Sequence, residues 1–162
     1  MDDKNTEITK ILETAILEEI KAKEFYLKMS SQLSNKEAQM RFKRMAEAEQ
    51  EHEDILMSWY EDTCGYPFDP LQAQKKENEL DIVEPEQNAT LLDVLKLIAK
   101  VENRAFLFYK EAAVLARMPE EEKLFTRLAS LEQMHADQSC IELQMFMDES
   151  LHFSEKDIPW KV

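Results

Sequence analysis

The chain has 162 residues, enough for one domain with a buried core, expected to span residues 1–162. One glycine and five prolines, against abundant Glu, Lys, Ala, Leu, Gln and Met, predict an almost purely helical chain. A net charge of −14 argues against nucleic acid and anionic membrane as partners, and no apolar run approaches the ~20 residues that span a bilayer.

In chain order, Met1-Asp2-Asp3-Lys4-Asn5 lacks the basic and apolar regions of a signal peptide, so a cytoplasmic location is expected. A first helix is expected from about Thr6, its N-cap, to Leu33. A second starts at Ser34, where Ser34-Asn35-Lys36-Glu37 reads as a capping box, and runs to about Asp62. Cys64-Gly65-Tyr66-Pro67 stops it. The polar stretch from about Thr63 to Ala89 holds Pro67, Pro70 and Pro85 and is long for a loop within one domain. A short helix fits within it over Leu71–Leu80. A third helix is expected from Thr90 to about Arg117. The fourth starts at Pro119, with Glu120, Glu121 and Glu122 at the positive end of its dipole, and runs to about Glu149. The tail over 150–162 has weak periodicity. The very short links make each successive pair an antiparallel hairpin. The expected fold is therefore all-α: a four-helix bundle over about 6–149, two hairpins joined by a long crossover at about 63–89, the ferritin-like connection.

One pattern occurs twice, at an offset of 83. Glu19 is followed by Glu49-x-x-His52, and Glu102 by Glu132-x-x-His135. Flanking residues repeat at the same offset: Ala22 and Ala105, Phe25 and Phe108, Tyr26 and Tyr109, Phe42 and Phe125, Ala46 and Ala129. Heptad-like seams pass through all six repeated Glu and His residues, among them Leu12, Ala15, Glu19 and Tyr26 on the first helix and Phe125, Leu128, Glu132 and His135 on the fourth. The six therefore fall on the core side. The midpoint of Glu19 and Glu49 is Ser34 and that of Glu102 and Glu132 is Arg117, both at expected turns, so each Glu on one helix is level with a Glu on its partner. The i, i+3 spacing puts Glu49 with His52, and Glu132 with His135, on one helical face.

Four buried carboxylates without compensation would cost several kcal/mol each. Two divalent cations would cancel their charge, and two equivalent halves supplying four carboxylates and two imidazoles make the ligand set of a two-metal site. Carboxylate oxygens with one imidazole per metal suit iron or manganese, and zinc also binds such a set. The bland alternative is a duplicated bundle that keeps polar core layers without metal.

Other features carry less. Glu149-Ser150-Leu151-His152 fits the short motif, but Pro119 stands thirty residues before its Glu, so His152 is expected to be an ordinary surface or tail histidine. Tyr26 and Tyr109 are either core aromatics whose hydroxyls need partners, or groups that orient a ligand carboxylate or act in local redox chemistry. The nine Met residues are expected to fill the core. Cys64 and Cys140 form no C-x-x-C pair and are expected to be buried, reduced thiols, with a single disulfide as the alternative, and the Glu and Lys residues off the seams a solvated face.

Glu-x-x-Ala-x-x-Phe-Tyr at 19–26 and 102–109, with Ala-x-x-Glu-x-x-His at 46–52 and 129–135, resembles the di-iron domain of rubrerythrins and related ferritin-like proteins over about residues 6–149. The resemblance implies that Glu19 and Glu102 are terminal ligands, one per metal, that Glu49 and Glu132 bridge, and that His52 and His135 add the nitrogens. Two departures stand out. Rubrerythrins proper carry a rubredoxin-like domain held by two C-x-x-C pairs, and no such pair occurs here. They also carry an extra Glu three residues after the position of Glu102, where this chain has Ala105. The six-ligand set is closer to a symmetric ferroxidase-type centre. Gln50 stands where the haem-ligating Met of bacterioferritin would follow Glu49, so no haem is expected.

The resemblance thus implies a di-iron oxidoreductase that reduces peroxide or O2 with Fe(II), takes electrons from an external rubredoxin or reductase, and forms a homodimer. Iron oxidation for storage or delivery, and a non-catalytic structural or regulatory metal-binding bundle, are the alternatives.

Overall fold

A computed structural model describes residues 3–32, 36–74 and 91–148. Among them are α1 (Asp3–Gln32), α2 (Lys36–Cys64), α3 (Pro70–Gln74), α4 (Leu91–Leu115) and α5 (Pro119–Asp148), and no strand. No helix among the described residues is long and apolar enough to cross a membrane. The chain divides into two compact units, Met1–Val83 and Glu84–Val162.

In the first unit α1 packs on α2. The buried stripe of α1 includes Leu12, Ala15, Ile16, Tyr26 and Met29, and that of α2 includes Phe42, Ala46 and Leu56. The stripe is wider than a single seam, since Ile16, Leu17 and Phe25 are buried beside it. Polar contacts fix the direction of the pair. The Ser30 hydroxyl donates to the Gln39 carbonyl at 3.0 Å, Lys23 donates to Gln50 at 2.8 Å, and the Tyr60 hydroxyl donates to Glu13 at 3.2 Å. Positions fall along α1 as they rise along α2, so the two run antiparallel.

Three helix ends differ from expectation. α1 begins at Asp3 rather than Thr6, because nothing in the preceding residues breaks a helix. α2 continues to Cys64, two residues past Asp62, and stops at Gly65. There φ is +78°, the left-handed region, and the Gly65 N–H donates to the Glu61 carbonyl at 2.8 Å. α4 ends at Leu115, two residues short of Arg117. The Arg117 and Met118 N–H groups would have continued it, but the Glu121 carboxylate accepts both, at 2.9 and 3.2 Å. Pro119 also disfavours a helical Met118.

Short α3 is capped by Asp69, whose carboxylate accepts from the Leu71 N–H at 3.0 Å. It begins at Pro70, one residue before the expected Leu71. Ser34, Thr90, most of the expected crossover (75–89), Glu149, His152 and the tail lie outside the described residues.

In the second unit α4 packs on α5, again antiparallel, as the contacts of Tyr109 with Phe125 and of Glu102 with His135 require. Val94, Leu95, Ile98, Tyr109 and Ala112 of α4 are buried, as are Leu124, Phe125, Leu128, Ala129 and Ala136 of α5.

Candidate metal centre

Each unit brings a Glu, a second Glu and a His together from two helices. On α1 and α2, Glu19, Glu49 and His52 are each only 3% exposed. His52 Nδ1 lies 3.7 Å from Glu19 Oε2 and 3.2 Å from Glu49 Oε2. On α4 and α5, Glu102 and Glu132 are buried, and His135 Nδ1 lies 3.6 Å from Glu102 Oε2 and 3.8 Å from Glu132 Oε2. Within each trio the potential ligand atoms lie within 4.8 Å of one another. In both units Nδ1 is the nitrogen turned to the carboxylates.

The local reason is helical geometry. Three residues advance a helix by ~300° and ~4.5 Å, so Glu49 and His52 project side by side. The partner helix runs the other way and brings Glu19 to the same level. α4 and α5 repeat this with Glu102, Glu132 and His135.

The electrostatics favour a cation. Two carboxylates and a neutral imidazole give each trio a charge of −2 in a place shielded from water, which is costly without a counter-charge. In the metal-free protein a proton supplies part of it. The neighbouring carboxylates of Glu102 and then Glu132 push His135 up to about 9, against the opposing effect of burial. Two oxygens and one nitrogen at this spacing fit a divalent ion of the iron, manganese or zinc type.

Tyr26 and Tyr109 are fully buried two turns from Glu19 and Glu102. Tyr26 meets the ring of Phe25 edge-on at 5.3 Å and that of Phe42 at 6.2 Å. Tyr109 meets Phe108 edge-on at 5.3 Å and stacks on Phe125 at 6.4 Å. The repeat thus preserves an aromatic layer as well as the acids.

Not every charged residue off the seams is solvated. Lys23 of α1 bonds Glu53 of α2 beside His52, and Glu53 is buried. Lys23 also donates to Gln50 at 2.8 Å, and Gln50 donates to Asp54 at 2.8 Å. The buried Glu121 cap is the second exception. Runs of like-looking charges hide both; the one signal was a break in the repeat, since Phe106 and Ala136 occupy the positions equivalent to Lys23 and Glu53. The cysteines also differ from expectation. Both are free thiols, but Cys64 is only half-buried and Cys140 is exposed, because its position on α5 lies off the core-facing stripe.

The family model for rubrerythrin matches residues 10–139, a span that contains all six Glu and His residues and ends before His152. A solved structure of a hypothetical protein from Pyrococcus furiosus is similar, with 26% sequence identity, a TM-score of 0.69, and coverage of 87% of this chain and 90% of that one. No curated protein matches the chain.

Proposed function

Since the chain belongs to the rubrerythrin family, all-α and ferritin-like in fold, we propose that it is a di-iron oxidoreductase that reduces peroxide or O2. One observation carries the reading. Glu followed thirty residues later by Glu-x-x-His occurs twice, and each set converges, its carboxylates buried, on a cluster that could hold a cation.

In this reading Glu19 and Glu102 would each hold one ion, Glu49 and Glu132 would add the further carboxylates, and His52 and His135 would each add a nitrogen. Bound ferrous iron supplies one electron per ion to the oxidant. The chain's own residues do the rest. The carboxylates would offset the charge of the bound ions. His135 Nδ1 gives up its proton when an ion binds, so loading releases protons. The buried aromatic layer keeps bulk water from the site, and the hydroxyls of Tyr26 and Tyr109 orient a ligand carboxylate or pass an electron. Electrons come from an external rubredoxin or reductase, and the protein works in the cytoplasm as a homodimer.

A second reading, iron oxidation for storage or delivery, is favoured by Ala105. That residue stands where rubrerythrins proper carry an additional Glu, and leaves a symmetric six-ligand set.

The test is direct. Metal-free protein given Fe(II) without oxygen should bind two ions per chain and develop the near-ultraviolet absorption of oxidised paired iron when peroxide is added. Bound iron with no spectral change would overturn the redox reading. A large hollow assembly in size-exclusion chromatography would favour storage. Two redox-inert ions per chain in protein from the native host would favour a structural role.

A further inference from the structure

The repeat transposes faithfully at the ligands and around them, and it breaks beside the histidines. Gln50 donates to Asp54 at 2.8 Å, and Gln133, at the equivalent position, donates to Asp137 at the same distance. Around that common frame the two halves differ. In the first, Lys23 of α1 is tied to Glu53 and Gln50 of α2, one residue after and two residues before His52. In the second, Phe106 and Ala136 replace the pair, and neither can carry charge. Phe106 instead lies under the ammonium of Lys110, 5.3 Å from its ring centre, on α4's own surface. One turn beyond the histidines, Leu56 of the first half becomes Ser139 in the second. Cover is also unequal: the His52 side chain is 4% exposed and that of His135 is 19% exposed.

We propose that the halves differ in how they hold an ion: Glu19, Glu49 and His52 form the retentive position, and Glu102, Glu132 and His135 the position through which ions exchange with solvent. The inference rests on the metal-binding reading of the site. Release of a chelated ion needs an incoming ligand, water or a competing chelator, to reach the metal while a protein ligand swings away. At His52 that motion works against a charge-assisted pair, Lys23 with Glu53, that ties α1 to α2. At His135 no such tie is possible between residues 106 and 136, and the imidazole already meets solvent. Lys23 and Glu53 are therefore positioning residues of the first half, and the break in the repeat is what makes two similar ligand sets behave differently.

Cobalt(II), visible by its absorption, serves as the probe. Protein loaded with two Co(II) per chain and mixed with excess chelator should lose them in two phases of equal amplitude. His135→Ala should remove the fast phase and His52→Ala the slow one. The double variant Lys23→Phe/Glu53→Ala gives the first half the second half's residues; its slow phase should speed up by about tenfold, the worth of one charge-assisted hydrogen bond. The reverse exchange, Phe106→Lys/Ala136→Glu, should slow the fast phase, and Lys23→Arg should leave the slow phase in place. Circular dichroism checks that each variant folds; should the first exchange unfold, the reverse exchange decides alone. A single rate for both ions, or two rates indifferent to the exchanges, would overturn the inference and leave the metal reading standing. Fewer than two Co(II) bound per chain would remove the two-metal reading, and this inference with it.

Discussion

At the scale of single residues the centre is a problem of buried charge. Glu132 is 1% exposed and shares His135 with Glu102. Glu132→Gln keeps the shape and removes one negative charge, so the metal-free protein should melt at a higher temperature than the parent. The same change should weaken metal binding by more than the ~10–100-fold that loss of a ligand's hydrogen-bond partner costs, because a ligand itself is altered. Calorimetry with and without metal checks both signs. His135 makes a second case. Its folded-state value of about 9 lies above the ordinary 6.5, so its contribution to stability is fully present below pH 6.5. As pH rises through about 9 that contribution is lost. Melting of the metal-free protein should therefore fall across this window, and His135→Ala should flatten the fall. The six acids and imidazoles were legible in the sequence because they repeat at one offset and interrupt an apolar stripe. Lys23 and Glu53 were not, because a partly buried pair looks like surface charge until two helices are placed side by side.

At the scale of the element, the sequence located the helices well and their ends less well. Period and composition mark where a helix exists, whereas a terminus depends on which group captures the last free N–H. Glu121 is the clearest instance. It looked like one of three acids at a dipole, yet its carboxylate takes the N–H groups of Arg117 and Met118 and so ends α4 as well as starting α5. Glu121→Ala should cost about 1–2 kcal/mol of stability, as other lost caps do, measured by chemical denaturation. Glu120→Ala, at an exposed position, should cost much less. Gly65 offers a complementary test. A Cβ there would meet nothing within 4 Å, so the whole penalty of Gly65→Ala is the left-handed backbone, about 1 kcal/mol. Gly65→Asn, which tolerates that conformation better, should recover part of it.

At the scale of the whole molecule, 34 acidic residues against 20 basic ones leave a chain that repels itself and attracts cations. Metal that binds only the folded state stabilises it by mass action, by ~2.7 kcal/mol at a hundred times the dissociation constant. A chelator should therefore lower the melting temperature of protein prepared with metal, and added salt should recover part of the loss by screening, leaving the loss of ligation itself. Family membership and helical class were readable from composition and repeat together. The break between Lys23–Glu53 and Phe106–Ala136 was readable only as a mismatch, and gained meaning once Lys23 was seen to reach across to α2.

The thiols give this chain a practical asymmetry. Cys140 stands in the open on α5, five residues past His135, while Cys64 is half-covered at the end of α2 with its sulfur 3.6 Å from the Thr9 hydroxyl. A brief exposure to a maleimide dye would mark Cys140 ahead of Cys64. The fluorophore would then sit about one and a half helical turns from one imidazole, on the outer face of α5, within range to report quenching by a paramagnetic ion there, a readout of site occupancy that requires no engineered mutation.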